Sequence, residues 1–174
     1  MPARIVDLWV NNWKGAIAQI SRLNPIPVSE VFGGPNSGSW EIDSNYNGDL
    51  NDSDKVYTVP MTQEVQVFTI FVDLTTTATV GDRQLQLLFQ NAQARTILDI
   101  RPNVVQAASI QRFYSFGPSL ANQLAFYDTD VLQTPIPPTL FGKGNYTLRI
   151  WDNNVVDAAA DDMLVTIAFG KRIV

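Results

Sequence analysis

The sequence contains neither cysteine nor histidine in its 174 residues. Without cysteine, a disulfide framework, a thiolate nucleophile and a cysteine-ligated zinc site are all excluded. Without histidine, the chain lacks the commonest general base and the commonest transition-metal ligand, so Ser-His-Asp and Cys-His sites are excluded too. No phosphate-binding or dinucleotide-binding glycine motif is present. We therefore predict that the protein is not an enzyme and has no catalytic residues.

Two pairs of carboxylates keep one enzymatic alternative open. Asp128 and Asp130 lie two residues apart, and Asp161 and Asp162 are adjacent. Paired carboxylates catalyse glycoside hydrolysis, but short acidic turns are far commoner than such sites. A glycosidase activity that Asp161→Asn or Asp128→Asn abolishes would support this alternative.

Charged residues are also scarce. They make up 17% of the chain, whereas hydrophobic residues make up 45%; a typical globular chain has roughly 25% charged residues. Such a chain folds around a core and can bury much of its remaining surface in an assembly. A monomer with a surface of Asn, Gln, Ser and Thr is the alternative. The net charge of −5 without a basic run predicts no nucleic-acid partner, because phosphate binding needs clustered cations.

Long apolar runs are absent as well. No segment reaches the roughly 18 consecutive apolar residues of a membrane span. Arg4, Asp7, Lys14 and Arg22 interrupt the N-terminal region, where a secretory signal would need an apolar segment. We expect a soluble protein that is made in the cytoplasm and has no membrane partner.

What the sequence does have is a period of two. Residues 163–169 place four apolar side chains on one face, and residues 84–89 begin with strict alternation. Alternation predicts strands, and clusters of Gly, Pro, Asn and Asp separate these runs. About eight strands with a turn every 8–12 residues predict an all-β fold, an antiparallel β-sandwich or jelly roll.

The composition changes near residue 54. Residues 1–54 are rich in Asn, Gly, Pro and Ser, and we predict that they form an N-terminal arm and a long loop region. Residues 55–174 are predicted to form the β-sandwich, in one globular domain overall. An ordinary first strand followed by a long loop explains the first segment equally well.

One predicted strand is apolar on both of its faces. The segment from residue 64 to residue 74 has this pattern, which is typical of a strand that is central or covered by a partner. We predict Phe68, Ile70 and Val72 as interface residues. Trp9 and Trp13 of the arm are predicted to join them.

Aromatic residues elsewhere leave a second binding mode open. Trp40 and Trp151 could stack on sugars, although aromatic side chains of an all-β protein more often serve the core or a protein interface. Carbohydrate binding is therefore kept as an alternative.

One motif predicts a metal site. Residues 43–54 match much of an EF-hand-type calcium loop, which needs closely spaced oxygen ligands and a glycine at its sixth position. The predicted ligands are Asp43, Asn45, Asn47, Asp49 and Asp54. The flanking segments look like strands rather than helices, and the motif ends in Asp, as dockerin loops do. A solvated turn is the alternative, because exposed turns use the same residues. Calcium is thus possible, and no cofactor is required.

Several segments resemble one family. Ser53–Pro60 and the Thr-rich run Val72–Leu85, with its Val-Gly-Asp-Arg turn, look like small β-rich virion proteins of tailed bacteriophages. The aromatic strand Arg112–Phe116, the Pro-rich loop Thr134–Pro138 and the Tyr-Thr-Leu-Arg-Ile strand beginning at Tyr146 are similar as well. The resemblance covers roughly residues 53–172 and leaves the N-terminal part uncovered.

The resemblance implies a capsid decoration (cement) protein of the jelly-roll type. Such a protein is a structural part of the virion, is made in the host cytoplasm and binds the capsid surface, where it bridges subunits of the major capsid protein. It often forms a homotrimer. No catalytic residues are implied. A tail fibre or a receptor- or carbohydrate-binding module of the virion is the alternative.

Overall fold

The computed structural model describes residues 40–48, 54–127, 130–157 and 159–174. The described residues belong to one compact unit, Trp40–Val174. Trp9 and Trp13 therefore lie outside the described residues.

The described residues form strands, turns and loops without a helix. The strands are β1 (Glu41–Asn47), β2 (Lys55–Thr58), β3 (Gln63–Thr75), β4 (Leu85–Gln90), β5 (Thr96–Ile100), β6 (Gln111–Gly117), β7 (Val131–Pro135), β8 (Phe141–Lys143), β9 (Thr147–Asp152) and β10 (Asp162–Ile173). The predicted all-β class is confirmed.

The strands form two sheets. The large sheet has the order β1-β10-β3-β6-β7, with β8 pairing with β3, and the small sheet has the order β2-β9-β4-β5. The antiparallel pairs are nested along the chain: β4 with β5, β3 with β6, β2 with β9 and β1 with β10. This nesting is the strand order of a jelly roll, in which a long hairpin folds over into two sheets. β7 extends the large sheet by pairing in parallel with β6.

The core lies between the two sheets. Alternate residues of β10 point into it, which explains the period of two in residues 163–169. The fully or almost fully buried hydrophobic residues from the strands of the large sheet include Val65, Val67, Ile70, Val72, Leu74, Tyr114, Phe116, Leu132, Met163, Val165, Ile167 and Phe169. Leu85, Leu87, Phe89, Leu148 and Ile150 face them from the small sheet.

The sandwich begins before the predicted boundary at residue 55. β1 (Glu41–Asn47) pairs along its whole length with β10, so this segment belongs to the large sheet rather than to a loop region. Its alternation is weak because β1 is an edge strand. Only one side of its backbone is paired, and its inward side chains are only partly buried.

A β-bulge explains why residues 64–74 look apolar on both faces. Val67 pairs with Phe169 and Thr69 pairs with Ala168, so Phe68 has no partner residue in β10. Val65 and Val67 point inwards before the bulge, and Ile70, Val72 and Leu74 point inwards after it. An extra residue shifts the alternation by one position. Each half of the segment therefore has apolar residues on its inward face only, and the bulge shifts the alternation between the two halves by one residue.

Candidate functional site

The outer face of the large sheet carries most of the exposed aromatic side chains that lie on strands. Trp40, which precedes β1, Ile42, Tyr46, Phe68, Phe71 and Phe141 are all exposed there. Strand register places them on one side: Ile42 pairs with Gly170, and Tyr46 and Phe71 both pair with Thr166. We call this surface the aromatic face. Ile42 is 84% exposed and Tyr46 is 64% exposed, so both contribute little to the fold that contains them.

One half of the aromatic face contains a shallow pocket. Trp40 and Phe141 meet edge to face, with ring centroids 5.8 Å apart. A Cβ atom on Gly170 would lie 2.9 Å from the Phe68 ring and 3.3 Å from the Trp40 ring, so glycine lets both rings lie across β10. These side chains, with Ile42 and Gln66, line a pocket of about 240 Å³.

The other half of the aromatic face is flatter. Phe71 and Phe113 stack with ring centroids 5.8 Å apart and an angle of 18° between their planes. Across the sheet, Phe71 lies in the same row as Tyr46, Thr166 and Ser115. Small side chains thus separate large rings, which leaves a surface that a second sheet could approach closely.

Charged groups on the aromatic face lie near its two ends. At one end, Arg172 donates from Nη2 to Glu64 Oε2 at 2.6 Å and lies 5.1 Å above the Trp40 ring. Lys143 pairs in register with Glu64 at that end. At the other end lie Asp73, which accepts from Gln111 Nε2 at 2.9 Å, and Asp162. The aromatic side chains lie between an end where Lys143 and Arg172 are balanced by Glu64 and Glu41 and an end that carries the carboxylates of Asp73 and Asp162.

The outer face of the small sheet has a different character. Arg149 lies 4.0 Å above the Trp151 ring and forms an ion pair with Asp54. Gln86 donates from Nε2 to Asp99 Oδ1 at 2.7 Å. Polar groups there bind one another and cover the tryptophan. The two outer faces of the sandwich therefore differ: one carries exposed aromatic rings, whereas the other combines hydrogen-bonded polar groups with the exposed aliphatic side chains of Val56 and Ile97.

The predicted interface residues are separated by the bulge. Phe68 lies on the aromatic face, as an interface residue must, but Ile70 and Val72 are 0% exposed and pack in the core. This corrects their placement, because Phe68 is the extra residue that shifts the alternation. Trp40, Ile42, Tyr46 and Phe141 were not predicted as interface residues. Their chance of detection was small, because they come from strands that meet only through long-range pairing.

The predicted calcium ligands are only partly described. Asp43, Asn45 and Asn47 lie in the extended strand β1, whereas a calcium loop curves around its ion. Asp43 Oδ2 accepts from Lys171 Nζ at 2.5 Å, a contact that lowers the pKa of Asp43. Asp54 pairs with Arg149, and Asp49 lies outside the described residues. Within the described ranges no three acidic side chains cluster as metal ligands would.

Calcium binding by residues 43–54 stays a prediction. If the segment binds calcium, a chelator lowers the melting temperature of the wild type, and Asp43→Ala abolishes that effect. A melting temperature that the chelator leaves unchanged contradicts the prediction.

The carboxylates of the glycosidase alternative have structural partners where they are described. Asp161 is fully buried and accepts from Arg83 Nε at 2.6 Å and Arg83 Nη2 at 3.0 Å. It also accepts from the backbone N–H of Thr77 at 2.6 Å. Asp130 pairs with Arg112, Asp162 lies on the outer face at the start of β10, and Asp128 lies outside the described residues.

This buried ion pair ties two loops together. Arg83 also donates from Nη1 to the carbonyl oxygens of Thr79 and Gly81 at 2.8 and 2.7 Å. The loop before β4 is thus bound to the loop before β10. Arg83 is the arginine of the Gly-Asp-Arg turn that supports the family resemblance, and its side chain is fully buried. Nothing in the local sequence distinguishes that arginine from an exposed one.

Comparisons with known proteins add little. No family model matches the chain, and no curated protein matches it. Among solved structures, it is similar to a chain of the infectious bursal disease virus Gx strain, with a TM-score of 0.32 and 6% identity over 79% of this chain and 42% of that chain. A chain of the Gt strain gives a TM-score of 0.26 and 8% identity over 76% and 40%. The chain thus spans about two fifths of the length of those viral chains, and similarity this low carries no argument about function. In the described part of the chain, no helix is long and apolar enough to cross a membrane.

Proposed function

We propose that this protein is a structural protein of a virus particle, which binds the particle's shell and stabilises it without catalysing a reaction. The observation that carries the proposal is the aromatic face. The described sandwich has a continuous hydrophobic core and still exposes six large apolar side chains on the outer side of one sheet. Exposed apolar patches of this kind mark sites where proteins bind one another. Aromatic residues are also enriched in protein interfaces, whereas most charged residues are depleted there.

The fold supports the proposal by analogy. Jelly rolls serve in viral shells, in lectins and in cupins, and a fold shared by several functions does not select one of them. The family resemblance in residues 53–172 favours the viral role, in particular a cement protein of a tailed phage. Its partners are then the major capsid protein and further copies of this chain, and its location is the capsid surface.

The experiment is binding to shells that lack the protein. Purified wild-type protein is mixed with such particles and sedimented, and mass spectrometry counts the copies that are bound per particle. We expect saturable binding with copies in proportion to the shell subunits, and shells that resist heat better when the protein is bound. Protein that stays in the supernatant contradicts the proposal, and a few copies per particle indicate a tail component instead.

A carbohydrate-binding module is the second candidate, because Trp40, Phe68 and Phe141 line a pocket. Two observations favour a protein partner over a sugar. Arg172 lies over the Trp40 ring and Arg149 lies over the Trp151 ring, so an arginine already occupies a ring face on which a sugar would stack. Binding to a glycan array that Trp40→Ala abolishes would support the carbohydrate function.

A further inference from the structure

We infer that the aromatic face is covered by the aromatic face of a second copy of this chain, in a pair related by a two-fold axis. The inference rests on the proposed assembly role and names a second copy, rather than a shell subunit, as the partner of that surface, so that the pair meets the shell through the rest of its surface. Three features of the face lead to it: its extent, its inability to match another described surface, and the arrangement of its charges.

The exposed area suits a stable pair. A whole aromatic side chain has roughly 150–250 Å² of surface, so six side chains that are 36–84% exposed leave several hundred Å² of apolar surface. A standard interface buries about 800 Å² on each partner, whereas the largest apolar patch on a typical monomer is about 300–600 Å². The six side chains can thus supply much of the apolar part of a standard interface, with the surrounding polar residues supplying the rest.

The described surface that best complements the aromatic face is the aromatic face of a second copy. A ring of copies would need a second apolar surface elsewhere on the molecule, because a head-to-tail contact joins two different patches. The strands of the small sheet expose the smaller apolar side chains of Val56 and Ile97, and their outer face also carries the Arg149–Asp54 ion pair and the Gln86–Asp99 hydrogen bond; it offers no comparable group of exposed rings among the described residues. An aromatic face on an aromatic face gives a closed pair. This differs from the trimer that the family resemblance implies.

The charges fix the orientation of the pair. At one end of the face the cations Lys143 and Arg172 lie beside Glu64 and Glu41, whereas the other end carries the two carboxylates of Asp73 and Asp162. A two-fold axis perpendicular to the strands reverses the second sheet, so that the acidic end of each copy lies over the basic end of its partner. An axis parallel to the strands would bring like charges together. The chain carries a net charge of −5, and this orientation places the acidic end of each copy over the cations Lys143 and Arg172 and keeps the two acidic ends apart.

Sedimentation equilibrium of the full chain tests the inference. We expect the wild type to have the mass of two chains at micromolar concentrations. The double variant Ile42→Asp/Tyr46→Asp changes two exposed side chains and should raise the dissociation constant by about tenfold or more. Its matched control is Val56→Asp, an exposed residue on the edge strand of the small sheet, which should leave the dissociation constant unchanged.

Charge exchange tests the orientation. Lys143→Glu or Asp162→Lys alone should weaken the pair by roughly two- to fivefold, as exposed ion pairs do. The combination of both substitutions in one chain should restore the wild-type affinity. Circular dichroism melting confirms that each variant is folded.

A monomeric wild type, a trimer, or a pair that Val56→Asp disrupts and Ile42→Asp/Tyr46→Asp does not would overturn the inference. The proposed function is judged separately. Monomers that still bind shells would refute the pair and leave the proposed function in place, whereas pairs that fail to bind shells would refute the proposed function alone.

Discussion

Arg83 and Asp161 are the residues whose individual loss should matter most. Both side chains are 0% exposed and joined by two hydrogen bonds. Removing one partner of a buried pair leaves an uncompensated charge in the interior, which costs about 3–5 kcal/mol. Replacement of both partners by apolar residues can recover much of that loss, because the desolvation of the charges disappears with them.

Asp161→Asn and Arg83→Met should therefore each lower the free energy of unfolding by about 3–5 kcal/mol, as measured by urea denaturation. The double variant Arg83→Met/Asp161→Leu should lose less than the sum of the two. The control is Arg101→Met, which removes an exposed contact of 3.5 Å to Asp99 and should cost under about 1 kcal/mol. Equal losses for Arg83→Met and Arg101→Met would contradict the account.

Asp157 should contribute to the pH dependence of the stability of the fold. Its Oδ2 accepts hydrogen bonds from the hydroxyl groups of Thr79 and Thr77 at 2.6 and 2.7 Å. These bonds lower the pKa of Asp157 below its ordinary value of 3.8. A carboxylate with a lowered pKa in the folded state stabilises the fold above its unfolded pKa, and the stabilisation is lost as the pH falls through the folded pKa.

We expect the wild type to lose stability between pH 5 and pH 3, and Asp157→Asn to lose less over the same interval, because the variant has no proton to bind there. Melting temperatures at pH 6 and at pH 3 measure the difference. A variant whose melting temperature falls as far as that of the wild type would show that the Asp157 hydrogen bonds have no such role.

At the scale of elements, the bulge in β3 decides which apolar residues are buried. The strand has different neighbours on its two sides of the bulge: β6 pairs with Ile70–Thr75 and β8 pairs with Glu64–Gln66. Val67, Phe68 and Thr69 lie between these two paired segments, and of the three only Phe68 also lacks a partner residue in β10. It points outwards together with Thr69, and it is available to the aromatic face for that reason.

Deletion of Phe68 should be tolerated, since it brings Val67 and Thr69 together and restores regular alternation along β3. We expect a folded protein that loses about 1–2 kcal/mol, within the usual range for single changes. Deletion of Phe71 is the control. It forces the strand on one side of the gap to turn its apolar residues outwards and should prevent folding. Thermal and urea denaturation of both variants measure this, and equal stability of the two would refute the bulge assignment.

Sequence alone could predict the strands with strong alternation but not those that tertiary pairing creates. β10 alternates because one of its faces is buried along much of its length, and its segment was predicted. β1 has polar residues on its inward side, so its backbone pairing with β10, rather than its pattern, makes it a strand. For the same reason the calcium motif looked like a loop. The bulge could not be predicted either. A strand whose alternation shifts at a bulge and a strand that is apolar on both faces have the same local composition.

At the scale of the whole molecule, each of the two sheets of the jelly roll has an outer face, and the two outer faces carry different side chains. The class could be predicted from the number of short strands and turns, but the nested pairing depends on contacts far apart in sequence. The aromatic face combines residues from β1, β3 and β8 with Trp40, which no window of the sequence shows together. The absence of histidine and cysteine excludes the catalytic sites that depend on those residues. The aromatic face provides a surface that can bind another protein.

We expect the aromatic face to be buried when the protein is assembled. Hydroxyl-radical footprinting compares the oxidation of Tyr46 and Tyr127 in free protein, diluted well below the dissociation constant of the pair, with their oxidation in protein bound to particles. The two side chains are 64% and 65% exposed, but only Tyr46 lies on the aromatic face. We predict that assembly suppresses the oxidation of Tyr46 at least severalfold and leaves that of Tyr127 close to its value in the free protein. Equal oxidation of Tyr46 in the free and bound protein would contradict the account.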